Sequence, residues 1–229
     1  MQSNTLEETK GTPILDRLSQ PVRDCLLSKA QTKTFERGAT ICLQDEPATS
    51  MKVVLKGWVK MYRVSSSGNE AVLSTLRDGN SFDEIVALKG GTSPASAEAA
   101  SKCTVMFLNL SSICSCENAF MDISNAVLSA ASDHMEAMIG HIEQLKVQNG
   151  TQRLSEYLLD LSETSEGSKE LVLPFEKVLL AGKLGMKPES LSRAFGRLKD
   201  IGVCSSQRNV SINCLTSLKT LVEDQKAFA

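Results

Sequence analysis

No stretch of the 229-residue chain approaches the roughly 18 consecutive apolar residues of a membrane span, so no membrane partner is predicted. The opening "MQSNTLEETKGTP" is polar and acidic. It has neither the apolar core of a signal peptide nor the arginine-rich character of a transit peptide, which leaves the cytoplasm as the expected location. There is no C-x-x-C pair. The seven cysteines, at 25, 42, 103, 114, 116, 204 and 214, are scattered and odd in number, which argues against a disulfide framework. Cys114 and Cys116 stand two apart, but no second pair or nearby histidine completes a zinc site. Reduced structural thiols and no metal are the expectation. Histidine is nearly missing: His134 and His141 are the whole supply. The chain also lacks a phosphate loop and any nucleophile–base pairing, so neither a catalytic residue nor enzymatic activity is predicted.

What is present is ordinary in amount and uneven in placement. Hydrophobic residues make up 41% and charged residues 23%, as in a typical globular protein. The net charge is −2, yet residues 183–208 carry six basic side chains against Glu189 and Asp200. That window is +4 and the remainder −6, an acidic chain with one basic island that the average conceals.

Three patterns follow one another. After a polar tail over 1–12, residues 13–120 begin with a short amphipathic segment. They continue as strand-like pieces: "TKTFE", "ATICLQ", "MKVVLKG", "WVKMYRV", "EAVLSTL" and "CTVMFLNL". Residues 58–64 alternate in type as a half-buried strand does. Gly57, Gly68 and Gly79 recur every 11 residues where strands end, and "SSSGNE" has the make-up of a hairpin tip. Evenly spaced strands and turns predict a sandwich or barrel-like roll.

Over residues 121–149 the period changes. Leu128, Met135, Ile142 and Asn149 fall seven apart, and Ala131, Met138 and Leu145 repeat that spacing offset by three. This a/d pattern predicts a helix beginning near Asp122 and stopping at "QNG", ~43 Å long. Its apolar stripe needs a partner. Parallel pairing with a second copy through Leu128, Met135, Met138, Ile142 and Leu145 is the expectation, and packing on the chain's own β domain is the alternative. Asn149 suits either a register-setting role or the polarity of a helix end. His134 and His141 fall at g positions about 10 Å apart along the axis. That is too far to share one ion, and both are expected as solvated rim residues.

Residues 150–229 open with an amphipathic helix, "TQRLSEYLLDLSE", with Leu154, Tyr157, Leu158 and Leu161 on one side. A polar loop and a short strand ("LVLPF") lead to two helices around a tight turn: "EKVLLAGKL", "GM", "KPESLSRAFGRLKDIG". "VCSSQRNVSI" then reads as a small hairpin. Two short helices joined through Gly185 are the helix-turn-helix arrangement, with Ala181 allowing close approach and Pro188 suiting a first helical turn. Leu191, Phe195 and Leu198 form the inward stripe; Glu189, Ser192, Arg193 and Arg197 point elsewhere, with Lys187 just ahead.

In this motif the N-terminal residues of the second helix meet base edges in the major groove. Arginine can bond guanine bidentately, glutamate accepts from cytosine N4, and serine adapts to either. The hairpin with Gln207 and Arg208 would be a wing touching phosphate. A surface helix of ordinary mixed charge competes with this reading. In function, the alternative is a ligand-binding regulatory module that docks on other proteins. Double-stranded DNA is the preferred partner, because basic island, hairpin and dimer helix occur together.

Nearly the whole chain resembles the Crp/Fnr family of bacterial transcription regulators. "VVLKGWVKMYRVSSSGNEAVLSTLRDGNSFDE" follows the family's glycine-spaced pattern with its F-x-E ending. Glu189, Ser192 and Arg193 form the E-x-x-S-R pattern of the Fnr-type branch. The resemblance implies an α+β fold: an N-terminal β-roll sensor domain of the cyclic-nucleotide-binding kind, a long dimerisation helix, and a C-terminal winged helix-turn-helix. It also implies a homodimer on an inverted repeat of half-sites like TTGAT, with RNA polymerase as a further partner. "LLAGKLGMKPESLSRAFGRL" looks especially like the Dnr subgroup, regulators of denitrification that respond to nitric oxide.

Asp83 and Glu84 stand at the effector pocket the resemblance implies. Cyclic-AMP-binding members use a Gly-Glu pair there, followed by an Arg-Ser pair that holds the phosphate. Here Asp83-Glu84 is followed by "GGTSPASAEAAS", which has no arginine, so cAMP is not expected. An iron–sulfur cluster is not expected either, with only Cys25 in the first 40 residues. Two alternatives stay open: haem, by subgroup analogy, although the candidate ligands His134, His141 or a cysteine such as Cys103 match no haem pattern, or a member that needs no small ligand and is controlled by its own abundance or by thiol oxidation.

Overall fold

The computed structural model describes residues 11–110, 117–164 and 169–223, and the chain divides into two compact units, 1–138 and 139–229. Cys114 and Cys116 lie outside the described residues, as does most of the N-terminal tail.

In the first unit, helices α1 (Pro13–Asp16) and α2 (Gln20–Ser28) precede the strands β1 (Gln31–Phe35), β2 (Thr40–Cys42), β3 (Met51–Lys56), β4 (Val59–Val64) and β5 (Glu70–Leu76). Then come β6 (Ser81–Phe82), helix α3 (Glu84–Lys89), β7 (Ser96–Ala99) and β8 (Cys103–Leu108). Two four-stranded sheets result, in the orders β1-β8-β3-β6 and β2-β7-β4-β5. Val54, Val59, Phe82, Ala97 and Val105 belong to the buried cluster that joins them.

The 11-residue glycine spacing has a topological cause. β3 belongs to one sheet and β4 to the other; β5 belongs to the second and β6 returns to the first. Gly57 (φ 92°) and Gly79 (φ 86°) are the corners where the chain changes sheet, and Gly68 is the tip of the hairpin between them. At Gly57 the main chain passes so close to the 102–103 segment that a Cβ would lie 2.4 Å from the Lys102 carbonyl oxygen. Gly57→Ala is expected to destabilise the protein by about 2–4 kcal/mol, from left-handed strain plus a clash with backbone that cannot rotate away. Urea denaturation reads this as a lower midpoint. An unchanged midpoint would mean that the corner relaxes freely.

Two strands escape the sequence reading. β6 is only two residues long, and β7 is "SAEA", with no β-branched or large apolar residue. Pairing rather than propensity makes β7 a strand: it lies between β2 and β4, with Glu98 opposite both Thr40 and Lys60. Lys60 reaches Glu70 at 3.0 Å and Glu98 at 3.2 Å. Burial works against its charge, but the two carboxylates outweigh burial and lift its pKa above the usual lysine value.

The long helix α4 (Glu117–Val147) begins ahead of the expected Asp122. One face of its first half closes the roll: Ala119, Ile123, Ala126, Val127 and Ala130 are buried with Leu15, Leu26, Met51, Met106 and Leu108. Ser19 donates to Asp122 from its backbone N–H (2.8 Å) and hydroxyl (2.6 Å), and Arg17 pairs with Asp133 at 2.7 Å. Packing on the chain's own β domain therefore occurs, but it does not use the whole apolar surface. Leu128 is 70% exposed, and Met135, Met138, Ile139 and Ile142 are all more than half exposed.

In the second unit, α4 stops at Val147 and Asn149 begins the next helix. Asn149 Oδ1 accepts from the N–H groups of Thr151 (3.0 Å) and Gln152 (3.2 Å), while Gln152 Oε1 accepts from Asn149 N–H (2.7 Å). This reciprocal cap starts α5 (Gly150–Thr164), so the polarity of a helix end, not seam register, accounts for Asn149. Strand β9 (Glu170–Val172), helices α6 (Lys177–Lys183) and α7 (Pro188–Lys199), the hairpin β10 (Val203–Ser206) and β11 (Asn209–Ile212), and α8 (Leu215–Glu223) follow. The sheet order β10-β11-β9 makes a wing beside the helices, closed over Leu154, Leu158, Leu173, Leu180, Leu191 and Leu198. The fold is the expected α+β arrangement of β-roll, long helix and winged helix-turn-helix. Among the described residues, no helix is long and apolar enough to cross a membrane.

Candidate nucleic-acid interface

Backbone hydrogen bonds set the turn between α6 and α7. Met186 N–H donates to Ala181 O (2.9 Å) and Gly185 N–H to Gly182 O (3.0 Å), with Gly185 at φ 63°. That is a Schellman stop, in which a left-handed residue lets the last carbonyls find donors. The torsion is the main constraint; a Cβ on Gly185 would also fall 2.4 Å from Leu145 Cδ2, the movable end of a leucine side chain. Pro188 then opens α7 with its φ preset for a first turn. Leu191, Ala194, Phe195 and Leu198 are buried and seat α7 against α5 and α6.

The opposite face of α7 is left to solvent. Lys187, Glu189, Ser192, Arg193 and Arg197 are all exposed. Arg193 Nη2 donates to Ser190 Oγ at 3.2 Å, which orients the guanidinium without neutralising it. Arg193 and Arg197 stand one turn apart and, with Thr151 and Ser190, line a shallow groove of about 320 Å³. On the wing, Arg208 Nε donates to Leu173 O at 2.7 Å, and Leu173 N–H donates back to Arg208 O at 2.7 Å. Arg208 is thereby anchored to the base of the wing while remaining exposed.

Sequence reasoning missed the other flank of α7. A groove of about 560 Å³ runs between α7 and the wing, with Lys177, Ser192, Lys199 and Ser205 among its lining residues. Lys177 donates to Ser205 Oγ (3.1 Å), and its ammonium lies 4.8 Å from the Phe195 ring centroid. Lys177 precedes the basic island by a few residues, so only its place at the start of α6 could have drawn notice.

The roll holds the second predicted pair. Asp83 is buried at φ 62°, just ahead of α3. Its Oδ2 accepts from Lys52 Nζ (2.6 Å) and Ser93 Oγ (2.7 Å) and lies 3.9 Å from the Cys42 thiol. Burial raises the Cys42 pKa, with the Lys52 charge pulling it down and Asp83 pushing it up. Glu84 is buried as well, its Oε1 4.0 Å from His134 Nε2. The sequence reading did not anticipate Lys52.

The remaining candidate ligands lie apart. Cys103 is buried, and burial pushes its thiol up to about 11. The His141 pKa is lowered, first by burial and then by the Lys183 charge. Among the described residues, no three His, Cys, Asp or Glu side chains converge as a metal site.

Comparisons with known proteins agree with this anatomy. A candidate cAMP-binding regulatory protein from Silicibacter pomeroyi, of solved structure, is 38% identical, covering 95% of this chain and 99% of that one with a TM-score of 0.67. The Anaerobic regulatory protein of Aggregatibacter actinomycetemcomitans is 23% identical, over 81% of this chain and 74% of that protein. FixK2 from Bradyrhizobium japonicum shares the fold, with 22% identity, a TM-score of 0.71, and coverage of 84% and 96%. A β-roll together with a winged helix-turn-helix whose second helix bares polar and basic groups defines a DNA-binding transcription regulator. The cyclic nucleotide-binding domain model matches residues 32–116, and the Crp-like helix-turn-helix domain model matches 152–221. The chain belongs to the Crp/Fnr family.

Proposed function

We propose that the protein acts as a homodimer that reads an inverted repeat in duplex DNA. The observation that carries this reading is the exposed trio Glu189, Ser192 and Arg193 on the first turns of a helix whose other face is buried. Arg193 would bond a guanine edge, Glu189 would accept from cytosine N4, and Ser192 would adapt to its neighbours. Lys187, Arg197 and Arg208 flank the trio as phosphate contacts, joined by Lys177 and Lys199 from the second groove. The exposed apolar stripe of α4 supplies the two-fold partner surface, and half-sites like TTGAT would lie about one helical turn, ~34 Å, apart.

Likeness of "LLAGKLGMKPESLSRAFGRL" to the Dnr subgroup, and a relative named Anaerobic regulatory protein, favour control of anaerobic or nitrogen-oxide respiration genes. Such control would act in the cytoplasm by way of RNA polymerase. Fluorescence anisotropy on a TTGAT inverted-repeat duplex and a scrambled one tests the DNA reading. Affinity is expected to fall steeply as salt rises. The matched duplex is expected to bind about 10³-fold or more tighter than the scrambled one. Absence of binding to either duplex at low salt would sink it.

A further inference from the structure

The roll matches a cyclic nucleotide-binding domain, yet its interior does not suit an anionic ligand. Lys52 is a buried cation: its side chain is 6% exposed, within a strand whose neighbours Met51 and Val53 are core. A lysine so placed requires an anion beside it, because an unpaired buried charge is strongly disfavoured. The chain supplies that anion itself. Asp83, with a side chain 1% exposed, takes both the Lys52 and Ser93 hydrogen bonds on one oxygen.

Three further observations bear on what this carboxylate does. First, it ties the sheets together: Lys52 and Asp83 border β3 and β6 of one sheet, while Ser93 and Cys42 belong to the β7 and β2 side of the other. Second, Asp83 occupies left-handed backbone that favours glycine, and its carboxylate does not cap the helix it precedes. Something other than local preference holds it, and the inward bonds to Lys52 and Ser93 are what the structure offers. Third, the surroundings disfavour another negative charge. Asp83 Oδ1 and Glu84 Oε1 are both buried without a hydrogen-bond partner, and residues 85–101 contain no arginine. A phosphate entering here would meet two carboxylates and an already paired lysine, with His134 4.0 Å from Glu84 Oε1 and Arg63 committed to the Pro94 carbonyl.

We infer that Asp83 is a built-in ligand: its carboxylate is the anion that Lys52 and Ser93 hold, so the two sheets are tied through it without any cyclic nucleotide or phosphate. The inference does not depend on the DNA-binding reading.

Thermal unfolding of the full chain tests it, with inorganic phosphate and cAMP as separate probes. The wild-type midpoint is expected to stay put with 10 mM phosphate or 1 mM cAMP. Asp83→Ala is expected to lower the midpoint in anion-free buffer and to recover roughly 4 °C when an anion is added. Recovery with both probes marks a plain anion site; recovery with cAMP alone marks a nucleotide-shaped one, and either supports the inference. Adding Lys52→Met to Asp83→Ala is expected to abolish the recovery. Asp83→Gly, which also vacates the position and suits the left-handed backbone, gives the same reading should the alanine variant not fold. Stabilisation of the wild type by cAMP would overturn the inference. So would indifference of both Asp83 variants to both anions, folded or not.

Discussion

Met138→Glu and Ile142→Glu made together are expected to leave the protein monomeric and to lower its affinity for an inverted-repeat duplex by about 100-fold or more. Both side chains are more than half exposed, as are Leu128, Met135 and Ile139 along the same helix. Each would gain on the order of 1–2 kcal/mol by leaving water, and carboxylates facing one another across a two-fold seam would repel instead. The loss on DNA comes from geometry: a dimer's second half-site binds at the high local concentration set by the first, and a monomer forfeits that gain. Sedimentation equilibrium should give the monomer mass at micromolar concentration, with far-UV circular dichroism unchanged. A double variant that stays dimeric would place the seam elsewhere.

The second large effect belongs to the recognition helix. Arg193→Ala is expected to cost roughly 1–3 kcal/mol on the matched duplex, a loss of about 5- to 150-fold, and to relax preference at one base pair of each half-site. Arg193 is exposed and its internal bond goes to a serine hydroxyl, so the variant should retain its fold. Base contact and phosphate contact are separable by comparing duplexes. A base contact weakens the matched site and leaves the scrambled one nearly untouched. Equal weakening of both, with a salt slope smaller by about one ion, would reassign Arg193 to the backbone.

What could be read from the chain beforehand follows from how each feature is encoded. The alternating strand 58–64, the glycine corners and the heptads are constraints that repeat along the chain, and period alone reveals them. The exposed placement of Glu189, Ser192 and Arg193 was legible for the same reason, since helical periodicity separates them from Leu191, Phe195 and Leu198. β7 was not legible because nothing local makes "SAEA" extended; its partners on both sides do. Lys52 was hidden by its own chemistry. In "MKVVLK" a lysine at an alternate position reads as solvent-facing, and only Asp83, distant in sequence, explains its burial. The long helix carries two apolar faces, and the heptad reading addressed one while the roll uses the other.

The clearance at Gly185 has a mechanical consequence. Leu145 belongs to the last turns of the long helix, and its Cδ2 fills the space that a Cβ on Gly185 would need. The missing side chain thus serves two purposes, a left-handed bend and a socket for a leucine. Rotation of that helix by 20° about its own axis would sweep a side-chain tip at a 5–6 Å radius through about 2 Å. Leucine and turn already touch, so such a sweep would change the contact between the long helix and the bend ahead of α7.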